Sequence, residues 1–264
     1  MEFFRQLFNN NTIVVNPYGL FSPKITDGLI IAHLSDLHEK SFGPDNAQLF
    51  AAVEALHPDI IAVTGDLVAH ESQAAADIAY TETFARGLAP IAPCFFVSGN
   101  HERQFASEIF PVLEENGFHI LHGDVHTLDV RGSRVNISGI HDPVFDPDGP
   151  QANVDVFLGT EGYNIFLTHR PEFFEAYAGR NIDLVLAGHT HAGQIRLPKI
   201  GSLYMMGQGL FPRYMQGEFT NGDTTMIISR GLGSSGYPTV RLNNPPDLVA
   251  VQVTSPPDEG NAQS

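Results

Sequence analysis

Five short polar clusters follow apolar, β-like runs in order along the chain: Asp36-Leu37-His38, Gly65-Asp66, Gly99-Asn100-His101-Glu102, His169 and Gly188-His189-Thr190-His191. They supply two aspartates, one asparagine and five histidines. Carboxylate, amide and imidazole donors together suit hard or borderline divalent ions such as Mn, Fe or Zn. Asp36 and His38 are two apart, as are His189 and His191, so in extended backbone each pair shares a face. A carboxylate has two oxygens, so Asp66 can bridge; two ions about 3.5–4 Å apart could then each receive roughly four protein ligands. Coordination positions would stay open for water and substrate, as a catalytic site needs.

The chemistry implied is hydrolysis of a phosphate ester, above all a phosphodiester. A hydroxide held between two cations is available near neutral pH, and the same cations neutralise phosphoryl oxygens. The leaving group still needs a proton, and His101, beside Asn100, is placed to be the general acid, with Glu102 or Asp66 orienting its ring. The alternatives are a phosphomonoesterase of the same design and a noncatalytic metal-binding scaffold. A dinuclear amide or thioester hydrolase would carry His-x-His-x-Asp-His, which this chain lacks. Each cluster alone is weak, since Gly-Asp is ordinarily a turn and His-x-His can sit on an exposed strand. The ordered set of five carries the reading.

These residues need strands to hold them. Runs rich in Ile, Val and Phe predict strands at Leu29–Leu34, Asp59–Thr64, Cys94–Ser98, Val135–Ile140, Tyr163–Thr168, Asp183–Ala187, Thr224–Ser229 and Leu248–Val253. Helices are predicted at Asn46–Leu56 with Asp45 as N-cap, from Ser72 toward Leu88, at Ser107–Asn116 and at Pro171–Ala178. In the first half, strand and helix alternate as in βαβ units of a parallel sheet. In the second half, strands follow one another through Gly- and Pro-rich links, which predicts antiparallel pairing in a second sheet packed on the first. Every polar cluster falls at the C-terminal end of a predicted strand, where ligands bind in open α/β sheets. The reading is one domain over 1–254 and a polar, disordered tail over 255–264.

The chain has 264 residues, 42% hydrophobic and 17% charged, with no tryptophan and no apolar run long enough to cross a bilayer. A formal charge of −16 argues against nonspecific nucleic-acid binding; bound divalent ions would reverse that charge locally for an anionic ester. The lone Cys94 can build neither an internal disulfide nor a cysteine zinc site, and its neighbours suit a buried small hydrophobe. No secretion signal is visible, and a reducing cytoplasm is the simplest compartment. Phe3, Phe4, Leu7 and Phe8 would share one face of a helix over Glu2 to Asn9, which allows peripheral docking on a membrane; packing on the domain is the competing use.

Arg170, directly after His169, and Arg196, on the loop leaving His191, are the best candidates to grip substrate phosphate, ahead of Arg103 and Arg230. The apolar residues between Gly201 and Gly217, Tyr214 among them, suit either a lipid or aglycone pocket or core packing under a long loop. Of the other histidines, His33 is a strand-face residue near the site. His57 interacts with helix-end carbonyls, His119, His122 and His126 face solvent, and His70 and His141 are structural or exposed.

The ordered set resembles the calcineurin-like metallophosphoesterases, whose pattern is Asp-x-His, Gly-Asp, Gly-Asn-His-Glu/Asp, His and Gly-His-x-His. The match runs from about Leu29 to about Ile195 with every block present. The resemblance implies a four-layer α/β/β/α sandwich of two mixed β-sheets flanked by helices. It implies one metal on Asp36, His38, Asp66 and His191, a second on Asp66, Asn100, His169 and His189, and His101 as the catalytic acid. A narrower resemblance rests on the stretches Ile31 to His38, Leu186 to Pro198 and Ser229 to Gly233. These are similar to a bacterial phosphodiesterase subfamily, some of whose members act at membranes on substrates such as UDP-diacylglucosamine. That likeness implies a small-molecule or lipid- or nucleotide-linked phosphoester as substrate.

Overall fold

Alternation along the strands decides the layering. Within Leu29–Leu34, Ile31 enters one apolar cluster while Ala32 and Leu34 enter another. Phe95 and its neighbours Cys94 and Phe96 divide in the same way. In Leu184–Ala187, Leu184 and Leu186 join the first cluster, whereas Val185 and Ala187 join a third. Side chains of a strand point to opposite faces in turn, so three apolar clusters separated by two sheets make four layers. Helices pack on the outer side of each sheet, and the sheets pack face to face.

Residues 10–69, 74–145, 154–193, 204–205, 208–210, 212–234 and 241–257 are described in this computed structural model. The strands are β1 (Val14–Phe21), β2 (Leu29–Leu34), β3 (Ile60–Val63), β4 (Cys94–Phe96), β5 (Phe118–Ile120), β6 (His126–Val130), β7 (Ser133–Gly139), β8 (Tyr163–Leu167) and β9 (Leu184–Ala187). They continue with β10 (Tyr204–Met205), β11 (Gly209–Leu210), β12 (Gly217–Asn221), β13 (Thr224–Ile228) and β14 (Asp247–Thr254). The helices are α1 (Ala47–Glu54), α2 (Ala74–Leu88), α3 (Ala106–Glu115) and α4 (Phe174–Tyr177). One six-stranded sheet runs β1-β14-β2-β3-β4-β5 and the other β12-β13-β9-β8-β7-β6. The expected sandwich of two mixed sheets is therefore present.

Three expectations are corrected. The second sheet is not mainly antiparallel, because β7, β8, β9 and β13 pair in parallel. Only its edges are antiparallel, where two-residue links (Arg131-Gly132 and Gly222-Asp223) close the β6–β7 and β12–β13 hairpins. The other connections are long enough to cross over, whatever their Gly and Pro content. Second, Asp45 does not cap α1: Asn46 holds that position, and its Oδ1 accepts from the Phe42 amide at 2.9 Å. Third, strands β1, β5, β6 and β12 carry no strong signal. β1 is an edge strand containing Pro17 and Gly19, residues tolerated at an edge but disfavoured by propensity.

Ser72, the N-terminal face with Phe3, Phe4, Leu7 and Phe8, and positions 258–264 of the tail lie outside the described residues. Among the described residues no helix is long and apolar enough to cross a membrane.

Candidate metal centre

The clusters leave five parallel-running strands at one edge of the sandwich. β2 delivers Asp36 and His38, β3 delivers Asp66, and β4 delivers Asn100 and His101. From the facing sheet, β8 delivers His169 and β9 delivers His189 and His191. The two sheets thus bring together side chains more than 150 residues apart. The expectation that the pairs spaced by two share a face through extended backbone is corrected. Asp36, His38, Asp66, His189 and His191 have φ of 53°, 46°, 52°, 69° and 47°. The chain therefore turns through left-handed backbone where it leaves β2, β3 and β9, whereas Asn100 after β4 is right-handed. Such strain amounts to about 1–3 kcal/mol per residue and persists only where the surroundings enforce it. Gly188 shows the tightness, since any side chain there would run into Ser35 and the Asp36 carboxylate.

Two groups of donors result, each with ligand atoms all within 4.8 Å of one another: Asp36, His38, Asp66 and His191, and Asp66, His169 and His189. Asp66 belongs to both. In the first, Nε2 of His38 lies 3.0 Å from Nε2 of His191, which is 3.3 Å from Asp36 Oδ1; Asp66 Oδ2 is 3.7 Å from His38 Nε2. In the second, His169 Nε2 is 3.3 Å from Asp66 Oδ2 and 3.2 Å from His189 Nδ1. Ligands about 2.1 Å from a common ion stand roughly 3.0–3.4 Å apart in octahedral or tetrahedral geometry, so these spacings fit divalent ions.

Two further observations favour that fit. The Nδ1–H of His169 donates to the Thr64 carbonyl at 2.7 Å, which turns Nε2 toward Asp66; burial lowers the pKa of this ring, but the Asp66 and Asp36 carboxylates outweigh it and raise the ring to about 10, so Nε2 carries a proton that a divalent ion would displace. The Oδ1 of Asn100 is buried and accepts no hydrogen bond among the described residues, an orphan that a cation would satisfy. Burial lowers the His38 pKa to about 4 and holds His189 and His191 well below the usual range, so these rings are neutral, as ligation requires. Burial pushes Asp36 up to about 6, with the Asp66 charge adding to it. For Asp66 burial works in the same direction, but the His169 ring outweighs it and keeps the carboxyl ionised.

His101 stands at the rim of the site, half-buried, with Nε2 3.9 Å from Asp66 Oδ2 and its amide donating to Asp66 Oδ1 at 3.0 Å. Glu102 does not orient that ring. Its buried carboxylate accepts from four backbone amides: Asp66 at 3.0 Å, Leu67 at 2.7 Å, Val68 at 3.3 Å and Gly99 at 2.6 Å. It fastens the Gly-Asp loop to the Gly-Asn-His loop, a role invisible in the motif itself.

The arginines divide. Arg170 Nε donates to Asp142 Oδ2 at 2.5 Å and its Nη1 lies 3.1 Å from His189 Nε2, so it braces the centre while one edge stays partly exposed. Arg230 is held by Asp247, Arg103 is exposed, and Arg196 falls outside the described residues. His33 is fully buried against Thr64 Oγ1, and His141 is a buried structural residue whose Nδ1 accepts from the Ser98 amide. Tyr214 is buried with Phe174 and Phe219, which is core packing, while His70 and the side chains over 201–207 are outside the description.

A two-sheet α/β sandwich with imidazole and carboxylate donors gathered at its strand ends is the architecture of a metal-dependent phosphoesterase. The calcineurin-like phosphoesterase family model matches residues 29–193, and the chain belongs to that family. It is 30% identical over 229 residues to the uncharacterized metallophosphoesterase YkoQ of Bacillus subtilis (strain 168), covering 85% of this chain and 83% of that protein. It is 27% identical over 238 residues to the phosphodiesterase YaeI of Escherichia coli (strain K12), covering 84% and 81%. Among solved structures, GAP50, the anchor in the inner membrane complex of Plasmodium, matches with TM-score 0.53 at 10% identity over 86% of this chain and 81% of that one. The NAD nucleotidase of Haemophilus influenzae matches with TM-score 0.51 at 16% identity over 78% and 51%. These structural likenesses show the shared fold.

Proposed function

We propose that this chain hydrolyses a phosphodiester at a pair of divalent ions, with His101 as general acid. The observation that carries the proposal is the Asp66 carboxylate shared by two donor groups. One ion would sit among Asp36, His38, Asp66 and His191, the other among Asp66, Asn100, His169 and His189. When bound, Mn, Fe or Zn would supply an acidified water as nucleophile and neutralise the phosphoryl charge. The protein's residues do the rest. Asp66 sets the spacing of the two donor groups and, through its Oδ1, fixes the His101 main chain. A protonated His101 gives its proton to the leaving alkoxide as the P–O bond breaks, so that no free alkoxide is released. The guanidinium of Arg170 faces the same edge and would contact a phosphoryl oxygen.

The relative YaeI is called a phosphodiesterase, which supports diester over monoester. Purified protein with Mn²⁺ should cleave bis-p-nitrophenyl phosphate faster than p-nitrophenyl phosphate. His101→Ala should keep its metal and fold while turnover falls by roughly 10²–10⁴-fold. Metal-loaded protein inactive on every diester and monoester offered would overturn the proposal, and unchanged turnover in His101→Ala would remove that residue from it.

A further inference from the structure

Arg241 is among the largest fully buried side chains in the protein, 1% exposed, and it lies 50 residues beyond the last proposed ligand. No carboxylate pairs with its guanidinium among the described residues. Instead it donates to three main-chain carbonyls: Asn244 at 2.8 Å, Arg230 at 2.5 Å, and Gly233. Each of these belongs to a segment that grips one half of the metal centre. The amide of Gly233 donates to the Asp36 carbonyl at 2.7 Å and that of Leu232 to the Ser35 carbonyl at 3.0 Å. Asn244 Nδ2 donates to the His191 carbonyl at 2.7 Å. A side chain on Gly233 would strike the Leu37 carbonyl, so this segment lies flush on the Asp36–His38 turn.

The contacts are weighted to one side: the 230–233 segment and Asn244 bond the main chain of Asp36 and His191 directly, and reach the second group only one step further on, where the Asp36 carboxylate accepts from the His189 amide at 3.0 Å. Asp36, His38 and His191 are held in left-handed backbone, as are Asp66 and His189, and this conformation relaxes once its surroundings loosen. The Arg241 shell reaches the main chain of Asp36 and His191. His169 is held instead through Thr64, and Arg170 lies against the His189 ring. We infer that Arg241, acting through Asn244 and the 230–233 segment, is a positioning residue for the ion site formed by Asp36, His38, Asp66 and His191, and not for its neighbour. This rests on the two-ion reading above. A guanidinium is suited to the task because its planar fork serves several carbonyls at once, whereas a lysine ammonium with the same charge does not reproduce that geometry.

The test is Mn²⁺ titration by calorimetry on wild type, Arg241→Lys, Arg241→Met and Asn244→Ala, with melting in EDTA as a measure of the metal-free fold. The expected result is two sites in the wild type and, in each variant, one site weakened roughly 10–100-fold while the other changes little. Turnover in the variants should recover at high Mn²⁺. Should Arg241→Met fail to fold, Asn244→Ala, which removes only the bond to His191, reads the same effect. A lower melting point in EDTA with both affinities unchanged would make Arg241 merely structural and overturn the inference, as would equal weakening of both sites. Wild type binding fewer than two ions would instead overturn the two-ion reading itself, and the inference with it.

Discussion

Replacing Glu102 by glutamine keeps size and shape but leaves one oxygen acceptor where two now serve four buried amides. Oε1 serves Leu67 and Val68; Oε2 serves Asp66 and Gly99. A glutamine can present its oxygen to one pair only, so its NH₂ faces the two N–H groups of the other. Two buried donors left unmet cost about 1–3 kcal/mol each, about 2–6 kcal/mol together. Burial, with the Asp66 charge adding to it, raises the Glu102 pKa to about 7, so a neutral side chain recovers part of that cost. The net loss is about 2–4 kcal/mol, which lowers the melting temperature of a domain this size by about 5–15 °C. The clamp joins the loops bearing Asp66 and Asn100, so divalent affinity should also fall roughly 10–100-fold. Melting curves with and without Mn²⁺ measure both. A Glu102→Gln protein that melts less than about 5 °C below wild type, the lower end of that estimate, and binds Mn²⁺ normally would refute the reasoning.

Asp66→Asn should remove binding at both ion sites, beyond the roughly 10–100-fold of an outer-shell change, and with it the stabilisation of about 2.7 kcal/mol per site that Mn²⁺ at a hundred times its Kd gives wild type; equal melting shifts in the two proteins would contradict this. Burial holds His33 near a pKa of about 3 and His141 near about 4, both below the ordinary 6.5. The unfolded chain therefore binds protons that the folded one refuses, and stability, full above pH 6.5, falls on acidification by up to about 1.4 kcal/mol per pH unit for each ring. Urea unfolding in EDTA between about pH 5 and 7 should show this slope, made shallower in a His33→Gln/His141→Gln variant, with His38, His189 and His191 still contributing in the same direction. Burial pushes the Cys94 thiol up to about 12 and its Sγ faces the Ala92 carbonyl, so a disulfide reagent should label it only after unfolding; rapid labelling of native protein would show that the interior opens.

What the sequence by itself determined is the set of candidate donors and their placement at strand ends. Asp36, His38, Asp66, Asn100, His169, His189 and His191 are legible because each follows an apolar run, and strand periodicity is a local property that about six residues suffice to display. The same locality made β2, β3, β4, β8 and β9 readable, and the alternation of Cys94, Phe95 and Phe96 between two cores comes from chain geometry alone. Only the tertiary structure decided how the donors meet. The left-handed turns at Asp36 and His191 are held by partners distant in the chain, Gly65 and Gly233 for Asp36 and Asn244 for His191, so nothing in Asp-x-His or His-x-His announces them. The parallel pairing of β7, β8, β9 and β13 depends on which strand lies beside which, a long-range choice that turn-rich links do not encode. Arg241 and Glu102 are the clearest cases: each spends its hydrogen bonds on main-chain groups, and a backbone amide or carbonyl has no residue type by which a sequence could reveal it.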